Sequence, residues 1–319
     1  MARDKVDDGD AFVSEVCWHY YVSSMTQAEI AARMQVTRLR VNQAIQRARS
    51  TGMVKIQIES PFLPRLELQE KLVATYGLEQ AMIAPADREH YDFHFPAGVA
   101  LASYLTRQLE TGAWRKIGVS WGMTLQCAIS NMTRQSYPEL EVISMFGGTA
   151  RGAKFNSFGI ASGFAERLGA NYSLLAAPNF LSDGVDRDLF LSQAQFRDHF
   201  AKFEQLDAAI LTCSDVSPKS YLVSEGFPSE VDPQDLIASG AVGDVVGRFL
   251  DAQGREVDNP LNARSIGITL ETLERVPTRI LVASGHHKVE IIRAVLQRGL
   301  ANTLITDDVT AEAVLAREG

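Results

Sequence analysis

The chain has 319 residues, of which 46% are hydrophobic and 22% charged, and its formal net charge is −8 at pH 7. This composition excludes a disordered or fibrous protein, and the length allows two domains. No apolar run reaches the roughly 20 residues needed to cross a bilayer, and the charged start MARDKVDDGD is not typical of a signal peptide, so we expect a cytoplasmic protein without a membrane partner. Three widely spaced cysteines, Cys17, Cys127 and Cys213, indicate neither a disulfide framework nor a metal site.

Three helices are predicted near the start of the chain. Residues 10–24 carry apolar side chains at helical spacing, namely Phe12, Val16 and Tyr20. A second helix is expected to begin at Gln27, because Thr26 and Glu29 have the spacing of a capping box. Thr37 can cap a third helix, whose apolar stripe is formed by Val41, Ala44, Ile45 and Ala48. The second and third helices, with almost no linker between them, predict a helix-turn-helix.

The outer faces of the third helix are suited to DNA. A turn of about 100° per residue places Leu39, Arg40, Asn42, Gln43, Gln46 and Arg47 away from the apolar stripe. Asn and Gln match the edge of adenine, and Arg matches guanine or phosphate. The N-terminal end of such a helix usually meets the groove. We therefore predict operator contacts by Thr37, Arg38, Arg40, Asn42, Gln43 and Arg47.

Charge and flanking elements agree with this interpretation. Between Thr26 and Ile58, six basic residues oppose one acidic residue, which gives this segment a net charge of +5 on an otherwise acidic chain. Alternation over residues 54–58 predicts a strand that forms a wing. Gln35 occupies the turn, where a residue with positive φ and hence glycine is usual, so it must adopt the left-handed conformation. The alternative is a helical hairpin that only packs against the rest of the chain.

The remainder of the chain predicts an α/β domain. Pro61 and Pro64 interrupt the pattern, so we place the domains at residues 1–60 and 61–319. Beyond them, apolar β-rich runs alternate with helical segments, which is typical of a doubly wound parallel sheet covered by helices on both faces. The predicted strands are 81–84, 117–119, 142–146, 172–176, 208–213, 280–283 and 303–306, and the helices between them include 97–109, 124–132, 160–168 and 289–297.

Ligands of such folds bind beyond the carboxyl ends of the strands, so the strand-to-helix junctions are the candidate sites. The first junction follows strand 117–119 and offers Ser120, Gly122, Thr124 and Gln126, with exposed N–H groups at the start of the next helix. The second contains the glycine pair Gly147 and Gly148, which serves either ligand approach or a turn.

A third junction, SGHHK, places Lys288 at the start of a helix as a cation for an anionic or hydroxyl-rich ligand. Asp244 follows a glycine at a predicted strand start, where it either bonds ligand hydroxyls or lies in an exposed turn. His286 and His287 are adjacent and therefore point in different directions, and no patterned Cys or carboxylate completes a metal shell. We expect neither a metal nor a cofactor.

Taken in order along nearly the whole chain, the helix-turn-helix, GVSWGMTL, the glycine pair, AVGDVVGRF and SGHHK followed by NTLITD resemble the SorC family of bacterial sugar-responsive regulators. The resemblance implies an effector domain similar to sugar-phosphate isomerases and deaminases, a homotetramer, and effector binding by Ser120, Gly122, Met123, Thr124, Gln126, Gly147, Asp244 and Lys288. Met123 stands where a polar or basic residue would help to hold a phosphate, which favours a neutral sugar or polyol over a sugar phosphate.

Two functions from different classes follow. The first is a transcriptional repressor of a carbohydrate or polyol catabolic operon, which binds operator DNA and is controlled by its effector. The alternative is an enzyme similar to sugar-phosphate isomerases, with Asp244, His286 or His287 as base and Lys288 as electrostatic stabiliser. The basic helix with outward Arg40, Asn42 and Gln43 favours the regulator, because an isomerase does not require such a face.

Overall fold

The computed structural model describes residues 8–55, 60, 62–149, 155–218, 220–228 and 230–316. The chain divides into two compact units, Met1–Leu63 and Pro64–Gly319, which we call the head and the body. Within the described ranges, no helix combines the length and the apolar character needed to span a membrane.

The head is built from three α-helices around a small core. They are α1 (Asp8–Cys17), which continues as a π-helix (Trp18–Val22), α2 (Gln27–Arg33) and α3 (Arg38–Ser50). Among the residues of the head that the structure describes, the core contains nine buried side chains, Val13, Val16, Cys17, Ile30, Ala31, Val41, Ala44, Ile45 and Ala48. The predicted apolar stripe of α3 is confirmed, since its four members are all buried.

Both predicted helix starts in the head are confirmed. The Thr26 hydroxyl accepts the Glu29 N–H at 3.3 Å, and the Glu29 carboxylate accepts the Thr26 N–H at 2.7 Å, which completes the capping box. Thr37 caps α3 by accepting the Arg40 N–H at 3.2 Å. Gln35 adopts the left-handed conformation that the short turn requires, with φ of 55°. Of the predicted wing, residues 56–58 lie outside the described residues, and Val54 and Lys55 are not in a strand.

The body contains a seven-stranded sheet and a three-stranded sheet. The strands are β1 (Gln80–Ala84), β2 (Lys116–Val119), β3 (Glu141–Ser144), β4 (Asn171–Ser173), β5 (Ala208–Leu211), β6 (Cys213–Asp215), β7 (Gly243–Val245), β8 (Arg248–Leu250), β9 (Thr278–Val282) and β10 (Thr303–Asp307). The large sheet has the order β1-β10-β9-β5-β2-β3-β4 and all its pairs are parallel. The predicted α/β fold with a parallel sheet is confirmed.

Helices connect these strands. They are α4 (Leu63–Tyr76), α5 (Phe95–Glu110), α6 (Met123–Asn131), α7 (Ser157–Leu168), α8 (Arg187–Leu191), α9 (Ala194–Phe203), α10 (Pro233–Ala238), α11 (Pro260–Arg264), α12 (Leu270–Glu274), α13 (Val289–Gln297) and α14 (Asp308–Leu315). A further π-helix (Leu222–Gly226) and a 3₁₀ turn (His286–Lys288) precede α10 and α13.

The large sheet is buried on both faces. In β5, Ala208 and Ile210 belong to one apolar core, and Ala209 and Leu211 belong to the other. Helices α5, α6 and α7 pack in the first core, whereas α9, α13 and α14 pack in the second. Because successive side chains of a strand point to opposite faces, each strand supplies both cores, which explains its continuous apolar sequence.

The small sheet differs from the prediction. Residues 208–213 were expected to form one strand, but the pairing breaks at Thr212, and β6 turns away to pair with β7 in an antiparallel sheet. Strands β7 and β8 are joined by Val246 and Gly247, both with positive φ, as a two-residue hairpin turn requires. This small sheet carries Asp244 to the carboxyl end of the large one.

Candidate functional site

A cavity of about 450 Å³ lies at the carboxyl ends of β2 and β5. The strand order places β3 and β4 beyond β2 on one side and β9 and β10 beyond β5 on the other. The direction of winding therefore reverses between β2 and β5, and the diverging connections leave a crevice there. The residues that follow both strands line this cavity.

The β2–α6 junction supplies three of the predicted effector residues to the cavity wall, Gly122, Met123 and Thr124. Gly122 has φ of 121°, a conformation that side chains rarely adopt, and its N–H donates to the Phe155 carbonyl at 2.9 Å. Met123 is 47% exposed. Thr124 is buried, and its hydroxyl lies 3.0 Å from Nδ1 of His94.

Asp244 and Lys288 reach the same cavity from β7 and the 3₁₀ turn. Ser214 donates to Oδ1 of Asp244, and the Gly247 N–H donates to Oδ2 at 3.0 Å. Burial raises the pKa of Asp244 to about 6, although these two hydrogen bonds and the charge of Lys288 act in the opposite direction. Lys288 is buried, with Nζ 5.9 Å from the centre of the Phe93 ring. The predicted cation and carboxylate therefore lie in one cavity.

Three other predicted effector residues do not line the cavity. The buried Ser120 hydroxyl lies 3.0 Å from the Thr212 hydroxyl, and Thr212 is the residue that reaches the cavity wall. Gln126 lies one turn further along α6, where its amide nitrogen donates to the Ser130 hydroxyl at 3.4 Å. Gly147 packs so closely on the carbonyl of Pro178 that even a Cβ would overlap it. Gly147 therefore serves close packing beside the cavity.

Sequence reasoning missed several residues of the cavity wall, and these include Phe93, His94, Thr212, Ser214, Asp215, Ser220 and Tyr221. Ser214 and Asp215 directly follow the predicted strand 208–213, and that position was a usable signal, whereas Thr212 was expected to lie within the strand. Phe93 and His94 arrive on the loop between β1 and α5, for which the sequence offers no local pattern.

The imidazoles at the cavity are neutral at pH 7. Burial, followed by the charge of Lys288, lowers the pKa of His94 to about 4. The same two causes lower the pKa of His287. Both rings therefore act as hydrogen-bonding groups, and Lys288 carries the positive charge at this wall. Within the described ranges, no group of three or more His, Cys, Asp or Glu side chains is placed to hold a metal ion.

Ser220 is distinctive among the lining residues. It is buried, and within the described part of the chain its hydroxyl has no hydrogen-bond partner. A buried hydroxyl without a partner costs roughly 1 to 3 kcal/mol. Since Ser220 lines the cavity, a ligand hydroxyl at that wall would supply the missing hydrogen bond.

In the head, the residues predicted to contact DNA do not all face the same way. The Arg40 guanidinium lies 4.8 Å from the centre of the Phe12 ring, and Arg47 forms an ion pair with Asp10 at 2.8 Å. Thr37, Arg38 and Gln43 are exposed, and Asn42 is half-buried at the edge of α3. Arg40 and Arg47 thus lie along the α1 side of the helix.

Comparisons with known proteins agree with this architecture. Residues 60–316 match the Sugar-bind family, described as "Putative sugar-binding domain". The erythritol catabolism regulatory protein EryD of Brucella abortus is 28% identical over 311 residues, which cover 98% of each chain. The chain belongs to the SorC family of sugar-responsive transcriptional regulators. The crystal structure of the full-length sorbitol operon regulator SorC from Klebsiella pneumoniae superposes with a TM-score of 0.74 at 25% identity and covers 97% of this chain and 100% of that one.

A SorC-family regulator is the first of the two functions that the sequence predicted. The transcriptional regulator LsrR of Enterobacter sp. is another relative, 28% identical over 97% of this chain and 94% of its own. These relatives are named as regulators, so membership of the SorC family confirms the regulator over the isomerase-like enzyme.

Proposed function

We propose that this SorC-family chain is a cytoplasmic repressor of a carbohydrate or polyol catabolic operon. The head binds operator DNA as a helix-turn-helix, and the body binds a sugar, polyol or sugar phosphate that changes operator affinity. The observation that carries this proposal is the cavity at the β2–β5 reversal, where Thr124, Asp244 and Lys288 meet within the segment that matches the sugar-binding family.

The chemistry of the cavity wall supports a polyhydroxylated effector. Asp244 and Lys288 provide an acceptor and a donor, and Ser220 provides a hydroxyl without a partner among the described residues. Trp121 and Tyr221, with ring centres 5.4 Å apart, contribute aromatic surface to the same wall. Aromatic faces beside a few placed polar groups are typical of small-molecule sites. Met123 at the mouth favours a neutral polyol or sugar over its phosphate.

The geometry of the head supports DNA binding. The two helices α2 and α3 are separated by a tight turn through Gln35, and the exposed surface of α3 carries arginine and amide side chains. Arg33, Arg38, Arg40, Arg47 and Arg49 lie in the described part of the head and complement phosphates. The net charge of +5 is confined to residues 26–58 of an otherwise acidic chain, so we assign nucleic-acid binding to that part of the head.

Repression requires that the two sites be coupled. A coupling free energy of about 1 to 3 kcal/mol is typical, and it is reciprocal, so operator DNA must weaken effector binding by the same factor by which effector weakens DNA binding. We further propose a homotetramer with the isomerase-like body as the assembling unit, which static light scattering of the purified chain tests.

A thermal-shift screen of the full chain against erythritol, D-sorbitol, D-ribose and D-ribose 5-phosphate tests the effector site. Erythritol comes first because the Brucella relative is named for erythritol catabolism. A ligand at 100 times its dissociation constant stabilises the protein by about 2.7 kcal/mol. We expect Thr124→Ala and Lys288→Ala to remove the shift and keep DNA binding. A shift that survives in both variants would place the effector elsewhere, and turnover of ribose 5-phosphate would overturn the regulator.

The DNA site is tested separately with Arg38→Ala and Gln43→Ala, both exposed on α3. We expect each variant to lose specific duplex binding and to keep the thermal shift of the body. Unchanged affinity in both variants would show that α3 is not the element that enters the groove.

A further inference from the structure

The residues of α3 that point furthest from its buried apolar stripe are not its arginines. They form a line along the opposite side of the helix. At about 100° per residue, the direction opposite Val41, Ala44, Ile45 and Ala48 is occupied by Leu39, Gln43 and Gln46, at positions i, i+4 and i+7, and in the last turn by Ser50. Leu39 is 65% exposed, although it is the most apolar residue of this line. Leu39, Gln43 and Gln46 are all exposed.

The arginines of α3 lie on either side of this line, and Arg40, Arg47 and Arg49 have partners within the head. Arg40 stacks on Phe12 and Arg47 pairs with Asp10 on one side, and on the other the Arg49 guanidinium donates to the Tyr21 hydroxyl at 2.9 Å. Charged groups therefore border a central strip of one apolar side chain and two amides. Phosphates flank the grooves of DNA, and base edges lie between them, so the strip faces the base edges when the borders face phosphates.

The strip matches one kind of base edge in particular. Thymine is the base that presents a methyl group in the major groove, and apolar side chains contact that methyl. Glutamine pairs in bidentate fashion with N6 and N7 of adenine. We propose that Leu39 reads a thymine methyl group and that Gln43 and Gln46 read adjacent adenines, so that Leu39 is a specificity-determining residue of the operator. This inference rests on the proposed DNA-binding function and names which residues carry its sequence preference.

A second copy of the chain is the competing occupant of Leu39, and the surroundings argue against it. The exposed neighbours on the strip and its N-terminal edge are Gln43, Gln46 and Arg38, so Leu39 is a single apolar side chain within a polar surface. Stable self-association needs a contiguous apolar patch of several hundred Å². One leucine among amides is enough to contact a thymine methyl group, but it is too little apolar surface for a dimer interface.

The test is selection of binding sites from a random duplex library with the purified full-length chain, carried out for wild type, Leu39→Ala and Leu39→Met. A Met53→Ala control removes another exposed apolar side chain of the head that lies outside α3. We expect Leu39→Ala to lose the thymine preference at one position of each half-site by roughly four- to tenfold. The base preferences of Leu39→Ala at the other positions should persist. Leu39→Met and Met53→Ala should select the wild-type sequence.

Three results would overturn the proposal. Selection of the wild-type sequence by Leu39→Ala would remove Leu39 from the readout. The variant could instead lose affinity equally for all sequences with a smaller salt slope, which marks a phosphate contact. It could also change oligomeric state in light scattering, which marks a second copy. If the wild type enriches no sequence at all, the proposed DNA-binding function fails together with this inference.

Discussion

Asp244→Asn should stabilise the ligand-free protein and abolish its response to effector. The carboxylate is buried between Ser214, the Gly247 N–H and Lys288, and burial raises its pKa from 3.8 to about 6. Asparagine has the same shape, and it can accept the Gly247 N–H with its carbonyl and donate to the Ser214 hydroxyl with its amide. The substitution therefore removes the buried charge and keeps the packing.

The magnitude follows from linkage. Because the pKa of Asp244 is higher in the folded than in the unfolded state, its contribution to stability is present at low pH and is lost as pH rises through about 6. A pKa shift of this size lowers the free energy of unfolding by about 3 kcal/mol in total as pH rises, and roughly half of this loss occurs between pH 5 and pH 7.5. Over that interval Asp244→Asn should lose less stability than wild type, by about 1 to 2 kcal/mol.

Urea unfolding followed by tryptophan fluorescence at pH 5, 6, 7 and 7.5 measures this difference. Asp215→Asn is the matched control, because Asp215 also lines the cavity but is only half-buried, so its carboxylate keeps contact with solvent. We expect the control to keep most of the wild-type pH dependence, because the charge of Asp215 is the smallest of the causes that act on the pKa of Asp244. The reasoning is refuted if Asp244→Asn keeps that pH dependence too, or if it binds effector as tightly as wild type does.

Three further outcomes are expected. Ser220→Ala should weaken effector binding about five- to tenfold, the value of one hydrogen bond, without lowering the unfolding midpoint. Ser265→Ala removes another buried hydroxyl that has no partner among the described residues, and because it lies outside the cavity it should leave calorimetric affinity unchanged. Gly122→Ala should cost roughly 1 to 3 kcal/mol in urea unfolding because φ of 121° is strained for any side chain, and an unchanged midpoint would contradict this. Asp10→Asn should free Arg47 and raise DNA affinity with a steeper salt dependence in fluorescence anisotropy; equal salt slopes would show that Arg47 does not contact phosphate.

The periodic features of the sequence predicted the elements well. Strand 117–119 corresponds to β2, helix 289–297 coincides with α13, and the capping box at Thr26 fixes the start of α2. These features are local: a strand buried on both faces must be apolar throughout, and a helix start needs a side-chain acceptor. The small sheet was missed because its strands have three residues each, too few for alternation to be visible.

Only some residues of the cavity wall were predicted from the sequence, for a related reason. A junction residue can be located from the sequence, but its direction depends on tertiary packing. Ser120 follows β2 as expected, yet it points beneath the wall and touches Thr212, and the loop that brings His94 to Thr124 starts from β1 at the edge of the sheet. In the head, the ties of Arg40 and Arg47 to α1 likewise depend on how the helices pack.

The left-handed Gln35 has a consequence for how the head folds. A non-glycine residue at φ of 55° costs of the order of 1 kcal/mol, and the described part of the head has a small core, of nine buried side chains, to offset it. Small units of this kind open at lower free energy than the larger domains they accompany. Amide hydrogen exchange should therefore be faster in α2 and α3 than in the parallel sheet, and bound operator should slow it, since a ligand that binds only the folded state shifts that equilibrium. Bound DNA therefore stabilises the folded head. Gln35→Gly should make the folded state of the head less dependent on DNA.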